Sequence, residues 1–450
     1  MGGEAMNQVT MRGLLEEWEQ RGLLYRIRKE VDPRFELGAI INSEKGKQPF
    51  LFEKIKGYQS MMATGLGGDR DLMADSLSVH PTDLIPKIID SIVNPIPTTL
   101  QATGAVQENL VTGDFDLADL FPIPTFHEED SGAYYVSGVL IVKDLAGKKR
   151  YTSIRRMQYL GGNRTNILIT SQELNEQYAH FEKLGEPMEV AVMFGVVPAV
   201  VLASQISTHL YHTDKLDVAG ALLGQSLDVV RCKTVDLDVL AEAEIVFEGI
   251  MLPYEREMEG PFGELAGYYG FRTPQPVVEI TAVTYRNNAI NQTIFPSSFE
   301  ERLPMALVRE ATLFSTVRQV VPNVKAVHIS MGGVARYHAV IQIEKKSEGD
   351  GKQAALAAFA SDKDLKHVVV VNDDVDIFDS DDVEWAIATR VQAANDVFIV
   401  PGAKGSPLES SHNLRGVSDK MGIDATYPLG QEKMFKRTSI PIEINLADYL

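Results

Sequence analysis

Cysteine is nearly absent from this chain of 450 residues, whose single cysteine is Cys232. One cysteine excludes an intrachain disulfide, and with it a disulfide-stapled secreted fold. Long apolar runs are missing too, since none reaches the roughly 20 residues that a membrane-spanning helix needs. No secretory signal pattern is visible at the start of the sequence. We therefore expect a soluble protein of the reducing cytoplasm.

Basic residues are also scarce. Lysine and arginine number 43 against 62 aspartates and glutamates, which gives a net charge of −19. Nucleic-acid binders and proteins of anionic membrane surfaces need basic surfaces, so this balance argues against both classes but not against a local basic pocket. The remaining composition is that of an ordinary globular protein, 44% hydrophobic and 23% charged, long enough for two or three domains.

The hydrophobic pattern changes character twice along the chain. The first segment mixes helices with short strands: Thr10 is placed to cap a helix that ends near Gly22, and a second helix follows residues 80–83. Leu-Phe-Pro-Ile-Pro at 120–124 cannot form regular structure and marks a boundary. From about 125 to 305, recurring Val/Ile/Tyr runs indicate a barrel or folded sheet.

From about 306 helices alternate with strands, which is typical of a layered α/β domain. The predicted strands there lie at 326–330, 339–343 and 367–371, and the predicted helices at 304–319, 353–361 and 381–394. The predicted fold is multidomain α/β, with an N-terminal α/β domain at 1–122, a barrel domain at 123–305 and a C-terminal α/β domain at 306–450.

Two glutamates flank a glycine-rich turn in the sequence Glu-Gly-Pro-Phe-Gly-Glu at 259–264. Gly-Pro-x-Gly forbids a helix, so Glu259 and Glu264 can approach one point. A close carboxylate pair tends to separate into one protonated and one ionised group, which suits general acid/base catalysis. A solvated loop with two unrelated glutamates is the alternative.

A basic stretch at 148–156 and a lysine near the C-terminus are two further candidates. Strand alternation places Arg156 on one face and Arg155 on the other, so one arginine could grip a carboxylate or phosphate. The alternative is a solvated basic edge strand. Lys420, before Met-Gly, could reach an anion or lie on the surface.

Taken together, these segments resemble the UbiD family of prenylated-flavin decarboxylases. The family's Arg, then Glu-Gly-Pro-[Phe/Tyr]-Gly-[Glu/Asp]-x-x-Gly-Tyr, reads here as Arg156 and residues 259–268. Ala-Glu-Ile-Val-Phe-Glu-Gly at 243–249, Ala-Gly-Ala-Leu-Leu-Gly at 219–224 and Lys-Met-Gly at 420–422 follow the family's order. The resemblance covers nearly the whole chain and implies that the central domain is a flavin-binding split β-barrel and that the C-terminal domain contributes to oligomerisation.

The resemblance also implies chemistry. Prenylated FMN would be the cofactor, supplied by a flavin prenyltransferase, and carbon dioxide would leave an aromatic, heteroaromatic or α,β-unsaturated acid. Glu264 would donate the replacing proton, while Arg156 and Glu259 position the substrate carboxylate. A homodimer or larger assembly is expected. The implied cofactor-binding residues are Ile154, Glu173, Ser204, Gln205, Lys215 and Lys420, the last at the phosphate.

The chain departs from the family at the metal. Manganese or potassium is expected beside the flavin phosphate on an Asn, a His and a Glu, but these positions read Tyr151, Glu173 and Lys215. One hypothesis is that Lys215, paired with Glu173, replaces the cation. Two other interpretations are a capping box from Thr170 to Glu173 with a helix-start lysine, and a relocated metal on His209, His212 and Asp214.

Other functions compatible with the sequence are a carboxylase or carboxylase subunit of the same machinery, a cofactor-poor paralogue serving as an assembly partner, and a hydrolase with a metal on His209 and His212. Residues 373–376, Asp-Asp-Val-Asp, could be a metal loop or acids capping the helix predicted at 381.

Overall fold

The chain divides into two compact units, Met1–Ala311 and Thr312–Leu450. The structure is a computed structural model and describes residues 9–145, 149–207, 211, 213–412, 414, 416–442, 444, 445, 447 and 449. The predicted multidomain α/β fold with a central barrel is confirmed. The predicted three-domain boundaries at 122 and 305 stay predictions. Within the described residues, no helix is both long and apolar enough to cross a membrane.

The first unit begins with helices packed on a small mixed sheet. Its strands are β1 (Tyr25–Ile27), β2 (Phe50–Phe52), β3 (Met61–Thr64) and, from much later in the chain, β14 (Ile290–Gln292), in the order β1-β2-β3-β14. Its helices are α1 (Met11–Gln20), α2 (Glu36–Ser43), α3 (Arg70–Ser76) and α4 (Leu84–Val93), with a 3₁₀ turn at Pro81–Asp83. The Thr10 hydroxyl accepts a hydrogen bond from Gly13 N at 3.0 Å, and α1 buries Trp18. Both helices predicted for this segment are confirmed.

A six-stranded barrel forms the centre of the first unit. Its sheet contains β5 (Asn109–Thr112), β6 (Tyr134–Lys143), β7 (Arg150–Gly161), β8 (Arg164–Ile167), β9 (Met188–Phe194), β12 (Ile245–Glu259) and β13 (Thr273–Tyr285). The order is β12-β9-β6-β7-β8-β13-β5, and β12 also pairs with β13, which closes six strands. Alternate side chains such as Val192, Phe194 and Phe247 lie in one core, each contributing about 2 kcal/mol by leaving water.

Short elements flank the barrel and hold part of the site. The helices are α5 (Leu117–Leu120), α6 (Gln172–Leu184), α7 (Pro198–Ser204) and α8 (Lys215–Leu223), and a 3₁₀ turn lies at Ala105–Gln107. A three-stranded sheet has the order β11 (Asp238–Leu240), β10 (Asp228–Arg231) and β4 (Thr99–Gln101). Helix α6 begins after Ser171, whose side chain makes no capping hydrogen bond. The predicted capping box from Thr170 is therefore wrong, because Thr170 lies one residue before the N-cap.

The second unit is a layered α/β domain, as predicted. Its sheet has the order β15 (Val324–Ile329), β16 (His338–Ile343), β17 (His367–Asn372), β19 (Val417–Ala425) and β18 (Val397–Lys404). Its helices are α10 (Asp350–Ser361), α11 (Ser380–Arg390) and α12 (Ala393–Asp396), while α9 (Phe299–Val320) spans the division at 311. The helix predicted at 381–394 ends earlier than expected, since Val391 adopts an extended conformation.

Candidate active site

The two glutamates of the predicted site are held by the end of one long strand and the turn that follows it. Glu259 is the last residue of β12 and pairs with Thr273 of β13. The chain between them folds back, with Glu264 N donating to Tyr268 O at 2.8 Å and Gly270 N donating to Phe262 O at 2.9 Å. A Cβ built on Gly270 would lie 2.4 Å from Glu264 Oε1, so a glycine is needed to make room for that carboxylate.

Arg156 of β7 binds both carboxylates. Its Nε and Nη2 donate to the two oxygens of Glu259 at 2.9 and 3.1 Å, and its Nη1 donates to Glu264 Oε1 at 2.8 Å. The guanidinium lies over the ring of Phe262, 4.4 Å from the ring centre. Burial opposes its charge, yet the two carboxylates offset this and raise the pKa of Arg156. The structure thus brings the three predicted catalytic residues together.

The two carboxylates differ in their access to water. The side chain of Glu259 is 1% exposed and accepts two hydrogen bonds from Arg156. The side chain of Glu264 is 16% exposed and accepts one. Glu264 is therefore the more accessible of the two carboxyl groups.

A third carboxylate lies near this cluster and was missed by sequence reasoning. Glu301 accepts a hydrogen bond from Ser297 N at 2.5 Å. Burial, reinforced by the charge of Glu264, raises the pKa of Glu301. No sequence motif identifies Glu301, because it lies near the start of a helix, where acidic residues are common.

A loop at 126–131 is hydrogen-bonded to the turn between Glu259 and Glu264 and was also missed by sequence reasoning. The Asp130 carboxylate is fully buried and accepts from Gly263 N at 2.9 Å and from His127 N at 2.9 Å. Ser131 N donates to Pro261 O at 2.9 Å. His127 packs against the turn so closely that a Cβ built on Gly263 would lie 2.4 Å from its Nδ1. The backbone between Glu259 and Glu264 is therefore held from outside the turn.

A second cluster lies where β7 meets the starts of α6 and α8. Lys215, which is only 4% exposed, donates to Ser204 O at 2.9 Å, and its ammonium lies 5.5 Å from the centre of the Tyr151 ring. Arg155 Nη2 donates to Tyr151 Oη at 3.1 Å and to Ser171 Oγ at 2.8 Å. As predicted, Arg155 lies on the face of β7 opposite Arg156, but it is part of this cluster rather than a solvated edge.

The electrostatics of this cluster are unusual. Burial, reinforced by the positive charge of Arg155 and opposed by Glu173, lowers the pKa of Lys215 to about 7. The Nε atom of Arg155 is buried without a hydrogen-bond partner. Tyr151, Glu173 and Lys215, the three positions where the family's metal ligands were expected, thus lie close enough to interact.

The strands beside these clusters carry buried polar atoms without partners on both faces of the sheet. These atoms are Thr152 Oγ1, Ser153 Oγ, Gln158 Oε1, Thr165 Oγ1 and both amide atoms of Asn166. Gln158 and Asn166 lie opposite each other on β7 and β8. Buried polar groups are nearly always satisfied, so a bound polar ligand would account for those that share one face, such as Gln158 and Asn166.

The other residues predicted to bind the cofactor lie on separate elements of the structure. Ile154 lies on β7, half-buried, and Ser204 and Gln205 end α7. Lys420 belongs to the second unit, where its ammonium donates to Lys363 O at 2.8 Å and Leu365 O at 2.5 Å. Burial lowers the pKa of Lys420. Its assignment to the cofactor phosphate stays a prediction.

The residues do not fit a divalent metal at the usual position. Among the residues that the structure describes, no group of three or more His, Cys, Asp or Glu side chains is placed to hold an ion. The side chains of a lysine and a tyrosine are also poor ligands for Mn²⁺, which prefers carboxylate, carbonyl and water oxygens. His209 and His212 lie outside the described residues. Asp214 caps α8 and pairs with Arg150 at 2.8 Å.

The acidic run at 373–376 has structural partners. Asp374 pairs with Arg390 at 2.6 Å, and Asp376 Oδ1 accepts from Phe378 N at 2.9 Å. The helix cap itself is Asp379, whose side chain accepts from Asp381 N. The acids of this run thus stabilise the turn before the helix, and the prediction that they cap it is wrong.

A six-stranded barrel that presents an arginine between two glutamates defines the class of UbiD-type carboxy-lyases, and the comparisons agree. Three domains of 3-octaprenyl-4-hydroxybenzoate carboxy-lyase match: the N-terminal domain at residues 15–92, the Rift-related domain at 98–299 and the C-terminal domain at 303–425. The chain belongs to the UbiD family.

Three similar proteins cover nearly the whole chain. Anhydromevalonate phosphate decarboxylase of Methanothermobacter thermautotrophicus is 34% identical over 95% of this chain and 99% of that protein. The UbiD-class enzyme HmfF from Pelotomaculum thermopropionicum in complex with FMN has a TM-score of 0.96 at 48% identity, covering 98% of this chain and all of that one. An evolved dimeric form of that enzyme in complex with prFMN has a TM-score of 0.91 at 46% identity with the same coverage.

Proposed function

We propose that this carboxy-lyase catalyses the reversible, non-oxidative decarboxylation of an aromatic, heteroaromatic or α,β-unsaturated carboxylic acid with prenylated FMN, and that Glu264 is the proton donor. The observation that carries the proposal is the bridge that Arg156 makes between Glu259 and Glu264. The HmfF structures in complex with FMN and prFMN support the choice of cofactor.

When bound, prenylated FMN supplies an electron-accepting ring system that stabilises the charge left by departing carbon dioxide. The residues that would hold it are unpartnered polar side chains on one face of β7 and β8, with Ile154 beside them, Ser204 and Gln205 at the end of α7, and Lys215 as a cation. Supply by a flavin prenyltransferase, and a homodimer or larger assembly, are part of this proposal.

Each of the three charged residues has a distinct task. Glu259 is buried and fixes the plane of the Arg156 guanidinium by two hydrogen bonds. The remaining N–H groups of Arg156 orient the substrate carboxylate over the site. Glu264, the more exposed carboxyl, delivers its proton to the carbon that carbon dioxide leaves, and recovers a proton from solvent. One proton is consumed for each carbon dioxide released.

The test is to produce the full chain together with a flavin prenyltransferase and to characterise the bound cofactor by mass and absorption spectra. Carbon dioxide release is then measured from a panel of phenolic, heteroaromatic and acrylic-type acids. We expect release from at least one acid by the protein loaded with prenylated FMN, and none by the same chain loaded with FMN. Equal release with FMN would contradict the proposed cofactor, and a fully loaded protein inactive on every acid would contradict the proposed reaction.

A further inference from the structure

The cluster of Lys215 and Arg155 has the composition of an anion-binding site. Two cations and one carboxylate, Glu173, interact there. Three hydroxyl groups surround the guanidinium: Tyr151 Oη and Ser171 Oγ accept from Nη2, and Thr170 Oγ1 accepts from Nη1 at 3.2 Å. Hydroxyl groups can also donate, so they can contribute hydrogen bonds to a bound oxyanion.

The protein retains this arrangement at a cost in stability. A lysine that is only 4% exposed loses the hydration of its ammonium, and here it also faces a second cation. The Arg155 Nε adds a buried donor without a partner. Each of these costs is relieved by an anion held between the two side chains, because the anion attracts both charges and accepts the free N–H.

The identity of the anion follows from where the cluster lies. It includes Tyr151 and Arg155 of β7, and Ser153, whose buried Oγ has no partner, lies between them on the same face of the strand. A flavin mononucleotide carries one strongly anionic group, its phosphate monoester. A guanidinium matches phosphate oxygens with paired N–H donors, and an ammonium adds a point charge.

We infer that Arg155 and Lys215 together bind the phosphate of the flavin nucleotide directly, in place of the divalent cation used elsewhere in the family. The inference rests on the flavin of the proposed function, and it adds Arg155, which the sequence pattern placed on this face of the strand without a role. Two basic side chains beside one carboxylate conserve the sign, if not the size, of the field that a bound cation would provide.

The experiment compares FMN with riboflavin, which lacks the phosphate, as ligands of the full-length apoprotein. Affinities are measured by flavin fluorescence before and after exhaustive treatment with EDTA, and divalent metal is quantified by mass spectrometry. We expect the wild type to prefer FMN at least about tenfold, with no change after EDTA and no stoichiometric metal. Inorganic phosphate should compete with FMN and not with riboflavin.

Variants of Arg155 and Lys215 then test whether these two side chains cause the preference for FMN over riboflavin. Arg155→Gln keeps a donor near Ser171 but removes the charge, and Lys215→Met keeps the length of the side chain. Each should weaken FMN binding about tenfold or more and leave riboflavin binding within about twofold. Arg164→Ala on β8, an arginine paired with Glu255, is the matched control and should change neither affinity. Thermal melts confirm that each variant is folded.

Three results would overturn the inference. The first is a stoichiometric divalent metal whose removal abolishes the preference for FMN. The second is an equal loss of FMN and riboflavin affinity in folded Arg155→Gln, and the third is no loss of either. The proposed function is tested separately. Suppose that wild-type protein loaded with prenylated FMN releases no carbon dioxide, while the wild type still prefers FMN and the variants Arg155→Gln and Lys215→Met still lose that preference. The inference about the phosphate would then hold, and the proposed reaction would be wrong.

Discussion

Arg156 does more in this site than neutralise a charge. It holds two carboxylates from opposite ends of one turn through three separate N–H donors, and it stacks on the phenylalanine between them. Only a planar guanidinium group can donate two parallel hydrogen bonds to Glu259 while a third N–H group reaches Glu264. The relative position of the two glutamates therefore depends on the shape of this side chain as well as on its charge.

Replacing Arg156 by lysine should thus fail to preserve function. The ammonium donates from a single point, so it would lose the paired bond to Glu259 or the contact with Glu264. We expect turnover by cofactor-loaded protein to fall about 100-fold, as the loss of two charge-assisted hydrogen bonds implies. Steady-state carbon dioxide release at matched cofactor occupancy measures this, with Arg164→Lys on β8 as the control. Turnover by Arg156→Lys at the wild-type rate would show that only the positive charge at this position of the strand matters.

Residues with a family motif could be predicted from the sequence, and their neighbours could not. Arg156, Glu259 and Glu264 were found because they lie in a recognisable motif. The contact of Arg155 with Tyr151 could have been predicted from strand alternation, which places both residues on the same face. Glu301 and Asp130 offered no such signal, because their positions depend on which distant segments pack together.

At the scale of elements, the loop at 126–131 contacts the turn between Glu259 and Glu264 on several sides. Asp130 links the backbone of both segments, and Tyr134 at the start of β6 packs on Phe262 with ring centres 4.5 Å apart. Burial raises the pKa of Asp130, but the contacts from His127 and the backbone N–H of Gly263 outweigh it and lower that pKa overall. The aspartate is therefore held as a carboxylate that only accepts hydrogen bonds.

Asp130→Asn should be impaired although the two side chains have the same shape. One side-chain oxygen accepts from Gly263 N and the other from His127 N, so an amide NH₂ must face one of these N–H donors. The turn would shift, and we expect kcat to fall about tenfold with the FMN affinity unchanged. Kinetics and flavin titration of Asp130→Asn beside the exposed control Asp114→Asn provide the test. Unchanged kcat would show that the clamp does not position the turn.

Helices and strands that follow from local sequence patterns could be predicted, whereas the strands with which they pair were harder to predict. The cap at Thr10 and the apolar face with Trp18 locate α1 from sequence alone. The start of α6 was misplaced by one residue, because Thr170 and Ser171 are both acceptable caps. Nothing local reveals that β14 pairs with β3 of the N-terminal sheet, more than 200 positions earlier.

At the scale of the whole molecule, barrel closure creates the site. Arg156 and Glu259 are separated by 103 positions, and they meet because β7 and β12 belong to one closed sheet. The sequence predicted a barrel or folded sheet from its short strands, but the pairing of β12 with β13 that closes it is non-local. The layered second unit was easier to predict, because its helices and strands alternate along the chain.

The central claim, that Glu264 supplies the proton of a prenylated-FMN decarboxylase, is tested most directly by Glu264→Gln in cofactor-loaded protein. The amide keeps the size of the side chain and removes its transferable proton, so we expect carbon dioxide release to fall at least about 100-fold. The absorption spectrum of the bound cofactor should be unchanged, and Glu257→Gln, on the exposed part of β12, should retain activity. Wild-type release of carbon dioxide by fully loaded Glu264→Gln would contradict the account.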